Sequence, residues 1–381
     1  MKVAIATSRP FHLVHLGREL AALGHQVTVY GYIPGALVGR YRPGAARYVS
    51  LFGALLPWTA LALQRRAQGL QTTATRRLFA LVDDAVARRL QPCDVFIGLS
   101  GVALRSLQVA RQRYGALTIC DRGSSHVLLQ RRLLERDGAA PLDADYVRRE
   151  LEAYAIADRV VVPSRFARGS FVDEGCDPQR VFSNPYGVDL DRFAVPGPER
   201  ARRARGDPWR LLFVGAWSHR KGCDLIEALL RAEPDLHVTH AGTAAGLALP
   251  RHGRFRSVGH VPNADLASLY GAHDALLLPS REDGFGMVML EALACGLPVV
   301  GSAHTGAPDL AAWFDDLRVV SLMPAITAEG LLHAVRAQRA AIERDGARRL
   351  DPSERRALCW SGYGARYDAF LRSVRDVPAG G

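Results

Sequence analysis

The residues most able to do chemistry stand together in Ser280–Gly301, SREDGFGMVMLEALACGLPVVG. A buried-strand pattern ends at Ser280, an acidic glycine-rich loop follows, and a helical pattern begins near Met287. Gly284 and Gly286 let backbone approach a ligand closely. The start of such a helix offers unpaired amides at the positive end of its dipole, which suits a phosphate. Glu282 and Asp283 sit in the loop, and Glu291 lies eight residues beyond Asp283, about one turn into the helix. Asp283 and Glu291 can therefore face one cleft, where carboxylates accept hydrogen bonds from hydroxyl groups. A tight strand-to-helix turn with solvated acids fits the same residues.

A second constellation is LLFVGAWSHRKGCDLI, Leu211–Ile226. A strand runs into a turn at Gly215, and Arg220-Lys221-Gly222 opens a helix. Two cations there suit a diphosphate leaving group, whose charge grows as its bond breaks. Cations at a helix start oppose the dipole, so a basic turn with no function carries a cost. Only Lys2 and Lys221 are lysines among 49 basic residues, which singles out position 221. A third constellation is CDRGSSHVLLQ, Cys120–Gln130, where a strand ends and a helix starts near His126. Asp121, Arg122 and Ser124 would line a cleft. A serine cap with His126 merely in the first turn fits equally.

Metal chemistry finds no support. The cysteines show no two-residue gap and the histidines no His-Glu-x-x-His pattern. Asp189-x-Asp191 has the spacing of a metal motif, but it follows Tyr186-Gly187-Val188 near an interdomain linker, where a structural role fits better. Scattered free thiols suit a reducing cytosol.

Elements must position these groups. Short apolar runs at Val3–Thr7, Val95–Leu99, Leu117–Cys120 and Val160–Val162 alternate with helical patterns at His12–Leu23, Thr73–Leu90, Val102–Arg113 and Tyr146–Ala157. A proline-, glycine- and arginine-rich stretch, 195–208, interrupts, and the alternation restarts at Leu211. This pattern predicts an α/β protein of two doubly wound, Rossmann-like domains with parallel sheets facing a cleft. The expected divisions are 1–195, 209–359 and a terminal helix in 360–381. No Gly-x-Gly-x-x-Gly follows the first strand, which argues against a nicotinamide dehydrogenase.

With 381 residues, 48% hydrophobic, the chain is long enough for two or three cores, and wholesale disorder is excluded. The net charge of +11 is uneven, since residues 1–195 carry 26 basic and 17 acidic side chains. Basic surfaces attract nucleic acid, anionic lipid or phosphorylated small molecules. The arginines are spread along helices without an aromatic-interleaved stripe, so a nucleic-acid partner is not expected. The N-terminus lacks a signal-peptide pattern, which suggests a cytoplasmic protein. The uncharged run Tyr48–Gln64 contains Gly53 and Pro57 and is flanked by Arg40, Arg42, Arg47, Arg65, Arg66, Arg76 and Arg77. It could touch an anionic membrane peripherally, although a core-covering loop fits it better.

Gly284–Val300 resembles the signature of the retaining nucleotide-sugar glycosyltransferases of family 4, which have the GT-B fold. One departure is Asp283, where the family carries Glu; another is Ala216, where the family carries Arg. The resemblance implies that Glu291 holds the ribose, that Asp283 (with Glu282 beside it) contacts the transferred sugar, and that Gly284, Phe285 and Gly286 shape the loop. It puts the amides of Met287 and Val288, with Arg220, Lys221 and Gly215, at the diphosphate, and His260-Val261 beside the base. It also implies His126 near the reacting sugar, and it sets His12, in Arg9-Pro10-Phe11-His12, where the family carries a Gly-Gly loop on the acceptor side. Asn184–Asp189 and Trp360–Val374 are similar to family pieces as well. The implied activity is retaining transfer from a nucleotide-sugar to a hydroxyl of a glycan, lipid-linked or small-molecule acceptor, with no cofactor or metal required. Alternatives are another GT-B enzyme, such as a sugar-nucleotide epimerase, or a basic nucleic-acid-binding protein.

Overall fold

The computed structural model describes residues 1–8, 11–39, 43–55, 71–138, 141–194 and 207–375, and for 71–77 the backbone alone. Arg9, Pro10, most of the arginine-rich linker, residues 56–64 and the flanking Arg40, Arg42, Arg65 and Arg66 lie outside the described residues.

The chain forms two parallel sheets. The first contains β1 (Lys2–Thr7), β2 (Gln26–Gly31), β3 (Arg47–Ser50), β4 (Val95–Leu99), β5 (Leu117–Asp121), β6 (Arg159–Val162) and β7 (Val181–Ser183), in the order β3-β2-β1-β4-β5-β6-β7. The second contains β8 (Trp209–Val214), β9 (Leu236–Ala241), β10 (Phe255–Ser257), β11 (Ala275–Leu278), β12 (Val299–Gly301) and β13 (Val320–Leu322), in the order β10-β9-β8-β11-β12-β13. Central strands such as VAIA in β1 and ALLL in β11 are buried along their length, because helices cover both faces of a parallel sheet. In each sheet the order reverses beside the first strand, between β1 and β4 and between β8 and β11. Loops leaving the carboxyl ends of those strands part there and leave a crevice.

The strands missing from the sequence reading are β3, β7, β10 and β13. Each has three or four residues. All four lie at sheet edges, so none needs a long apolar run. Of the uncharged run, Tyr48–Ser50 belongs to β3, and Leu51 and Leu55 are buried in the first domain's core. Among the described residues, no helix is long and apolar enough to cross a membrane.

The chain crosses between domains twice. The outgoing segment lies beside the returning one: Val188 bridges Cys359, and Gly187 has no room for a Cβ against the Trp360 backbone. The last helix, Trp360–Arg375, packs on His12–Ala22 of the first domain. Trp360 stacks on His15 at 4.2 Å, His25 meets Asp368 at 2.7 Å, and a Cβ on Gly364 would strike Glu19. Asp189 does local work here, since its Oδ1 accepts the amides of Asp191 (3.2 Å) and Arg192 (3.3 Å).

Candidate active site

The groups expected on the donor side meet at the carboxyl ends of β8 and β11. Gly222, the N-cap of the helix Cys223–Ala232, has φ +71° and lies against the Pro279 carbonyl, where a Cβ would come within 2.2 Å. Only glycine can make that approach, and it fixes the Arg220-Lys221 turn to the end of β11. The same turn is tied from the other side. Arg281 donates its amide to the Arg220 carbonyl at 2.8 Å and grips Asp224 with two bonds of 2.7 Å. Lys221 Nζ then pairs with Asp283 Oδ2. Arg220 donates to the Glu282 carbonyl (2.9 Å) and to Glu282 Oε2 (3.0 Å).

Glu282 is fully buried, and its other carboxylate oxygen faces the first domain. Ser124 Oγ donates to Oε1 at 2.6 Å and Ser125 Oγ at 3.0 Å. Both oxygens are thus engaged, and Glu282 joins the domains. The backbone beside it does the same. A Cβ on Gly284 would lie 2.2 Å from the Gly123 carbonyl, and Ser164 Oγ donates to the Gly284 carbonyl at 2.6 Å. Asp309 accepts the Arg165 amide at 3.1 Å, and Phe166 stacks on His304 at 4.7 Å. Burial raises the Asp309 carboxyl to about 6, against the lowering effect of the Arg165 amide and charge.

Gly286 takes φ +85° as the N-cap of Met287–Ala294, and the amides of Met287 and Val288 open that helix. Phe285 is buried with its ring against Gly306 and edge-on to Tyr186 at 5.8 Å, so it anchors the loop. Tyr270 donates to Glu291 Oε2 at 2.7 Å. Burial raises the Glu291 carboxyl above its ordinary range, with the Tyr270 bond and Arg192 acting in the opposite direction.

Three glycine loops line up along the edge of the second sheet. Gly215 donates to the Ala241 carbonyl at 2.9 Å, and Gly242 to the Gly259 carbonyl at 2.8 Å. His240 braces them from beneath, donating through Nε2 to the Gly215 carbonyl at 2.9 Å. Burial lowers its pKa, against the raising effect of the bond to the Gly215 carbonyl. His260 is exposed beyond these loops and Val261 packs on the core.

The acceptor-side residues are only partly brought together. His12, buried, donates through Nε2 to Asp121 Oδ1 at 2.6 Å, and Tyr367 donates to Asp121 Oδ2 at 3.4 Å. Phe11, exposed, meets the His12 ring edge-on at 4.9 Å, and Tyr186 lies 4.8 Å from it. Ser124 joins the seam at Glu282. Arg122 does not line the cleft. It is buried, donating to Glu150 (2.6 Å), Tyr146 (2.9 Å), Gln130 (2.8 Å) and the Ser125 carbonyl (3.1 Å). His126 is not delivered to the donor groups either. Its ring packs on Tyr154 at 5.1 Å and Phe171 at 4.8 Å, and Nδ1 accepts the Leu128 amide at 3.3 Å. Burial brings its pKa down to about 4, so it is a neutral helix cap. Sequence reasoning did not assign Ser125, Ser164, Tyr186 and Tyr270 to the site. Ser125 stood in the Cys120–Gln130 constellation as a possible helix cap, Ser164 and Tyr186 stood in family-like segments, and Tyr270 carries no local signal.

Residues 208–336 match the family model for glycosyl transferases group 1. A D-inositol 3-phosphate glycosyltransferase of Geodermatophilus obscurus is 36% identical over 184 residues, covering 41% of this chain and 40% of that protein. One from Actinosynnema mirum is 32% identical over 226 residues, covering 52% of this chain and 54% of that protein. The chain thus matches about half, or less, of the length of these curated relatives. The whole fold is similar to sucrose-phosphate synthase from Thermosynechococcus elongatus, with a TM-score of 0.67, 20% identity and coverage of 98% and 99% of the two chains. It is similar also to Anabaena HepE in complex with UDP and glucose, with a TM-score of 0.60, 15% identity and coverage of 98% and 100%. The architecture is the two-domain GT-B fold, and residues 208–336 are similar to the glycosyl transferases group 1 family.

Proposed function

We propose that this protein transfers a sugar from a nucleoside-diphosphate sugar to an acceptor hydroxyl, with retention at the anomeric carbon. The observation that carries the reading is the meeting of Arg220, Lys221, Asp283 and the Met287 helix start at the reversal point of the second sheet. In the free protein Asp283 and Glu282 occupy the two cations. A bound diphosphate would take their place at Lys221 and Arg220, freeing Asp283 for the hydroxyls of the transferred sugar. Glu291, held by Tyr270, would accept from the ribose, and the loops at Gly215, Gly242 and Gly259 would lie against the base. In the chemical step the acceptor oxygen bonds to the anomeric carbon as the bond to the phosphate oxygen breaks. That departing oxygen takes the acceptor's proton, and the basic turn with the helix dipole stabilises the charge it gains. No residue need act as a covalent nucleophile, and no metal is invoked. The glycosyltransferases named above support this donor class, as does HepE with bound UDP and glucose.

A thermal-shift series with UDP-, GDP- and ADP-sugars tests the donor. A ligand at one hundred times its dissociation constant adds about 2.7 kcal/mol. No shift with any of them removes the reading. Product anomers assigned by NMR test the stereochemistry, and an inverted product rejects retention. A cytoplasmic location is the one we propose, and the alternative is peripheral contact with anionic membrane at its inner face. That contact requires flotation with anionic but not neutral vesicles, weakened by Arg65→Glu with Arg66→Glu; a protein that stays unbound on anionic vesicles at low salt excludes it.

A further inference from the structure

The crossings between the domains border a pocket of about 350 Å³ that the groups above do not use. Leu190 lies on the outgoing segment, Leu293 and Gly296 at the carboxyl end of the helix Met287–Ala294, and Leu350 and Pro352 on the approach to the return. The rest of the lining is Arg349, Arg355 and Arg356. Among the described residues none of the three has an ion-pair partner, and Arg355 Nε is buried without an acceptor. Arg348 beside them is paired twice, with Glu354 at 2.6 Å and Asp316 at 3.4 Å. The carboxyl end of the Met287–Ala294 helix supplies only about half a negative charge, too little to balance three guanidinium groups. A buried N–H without an acceptor is costly, and an anion would relieve it.

We propose that this pocket binds a small phosphate monoester with an apolar body. Guanidinium forks match phosphate oxygens. The volume falls in the range of small-ligand sites. The lining holds leucine, proline and glycine besides the arginines, with no acid, amide or hydroxyl to receive a polyhydroxylated body. The ligand's carbon would therefore lie against Leu190, Leu293 and Leu350, and its phosphate at the arginines. This site stands apart from the donor site and does not depend on the function proposed above.

Titration calorimetry of the full chain with hexyl phosphate tests it. One site per chain is expected, with inorganic phosphate at least tenfold weaker because it leaves the leucines uncovered. Arg349 and Arg356 are exposed, so Arg349→Met with Arg356→Met keeps the fold, checked by an unchanged melting temperature. That pair should weaken hexyl phosphate at least tenfold. Leu190→Gln should weaken hexyl phosphate and leave inorganic phosphate unaltered. If the natural source is a lipid, phosphatidic-acid vesicles co-sediment with the protein and the double variant abolishes it; if it is a soluble ester, hexyl phosphate binds and vesicles do not. Absence of hexyl phosphate binding, or equal binding in the double variant, overturns the proposal.

Discussion

Lys221 and Glu291 are the side chains whose loss should matter most for turnover. Lys221→Ala removes the cation that meets Asp283 and leaves that acid without a counter-charge. Glu291→Ala removes the Tyr270–Glu291 hydrogen bond. Each should lower kcat/KM at least ~10²-fold, the scale of one preorganised charged contact, in a coupled assay of nucleoside diphosphate release. Near-normal activity in either would dissolve the donor assignment. Glu282 differs because its contacts are structural as well as electrostatic. Glu282→Ala removes the acceptor of two serine hydroxyls, leaves Arg220 only the residue-282 carbonyl, and should cost about 2–3 kcal/mol in denaturant unfolding, whereas Glu282→Gln, which keeps an acceptor, should cost less. The grouping of the proposed donor residues was legible because two short runs encode it: strand end, glycine loop and helix start follow each other from Ser280 to Glu291, and a strand, turn and helix start bring Arg220 and Lys221 to them. Arg122 and His126 were not, because their fates are decided by Glu150, Tyr154 and Phe171, which the chain supplies tens of residues later. The Ser124–Glu282 bond spans 158 residues and leaves no trace in either local pattern.

At the scale of elements, the donor loop and the turn after β5 touch backbone to backbone. Gly284→Ala would push a methyl group into the Gly123 carbonyl, which no rotamer change relieves. The expected result is a turnover loss of at least tenfold with UDP affinity, by calorimetry, altered less than threefold, because the variant keeps the donor groups and loses only the approach of the first domain. Parallel loss of UDP binding would mean that Gly284 serves the donor itself. The start of the helix Arg165–Asp173 gives a pH-dependent contact of the same kind. The Asp309 carboxyl rises from an ordinary 3.8 to about 6 on folding, so the native state holds the extra proton between those values. Stability from this group is therefore full below about pH 4 and is lost as pH rises through 6. At about 1.4 kcal/mol per pH unit the loss is on the order of 3 kcal/mol. Asp309→Asn retains an acceptor for the Arg165 amide and lacks the proton. The difference between wild type and this variant, followed by urea unfolding from pH 4 to 7, should shrink with that sign; a flat difference would show that Asp309 does not titrate there. The alternation of strands and helices announced both sheets, yet the edge strands were invisible because three residues such as FRS carry no period.

Across the whole molecule, the last helix makes one body of two domains. Trp360, Tyr363, Tyr367 and Leu371 are buried, and Tyr367 reaches Asp121 beneath the acceptor side. Tyr367→Ala should cost about 3–5 kcal/mol, as for other large aromatic truncations, and calorimetry should register it in the first domain, where the helix packs. A change confined to the second domain would contradict that packing. The two-domain plan was legible because the linker interrupts a repeated pattern. The closeness of the domains was not, since it depends on glycines and serines whose meaning appears only when the opposite loop is present.

The contact between Gly284 and the turn Gly123-Ser124 also bears on tempo. With the seam shut, Gly284 lies so close to the Gly123 carbonyl that not even a methyl group fits between them. On the function proposed above, a nucleotide-sugar seated across this seam would part it on entering and again on leaving. The rate of that swing would then cap turnover, however fast the bond-making step became.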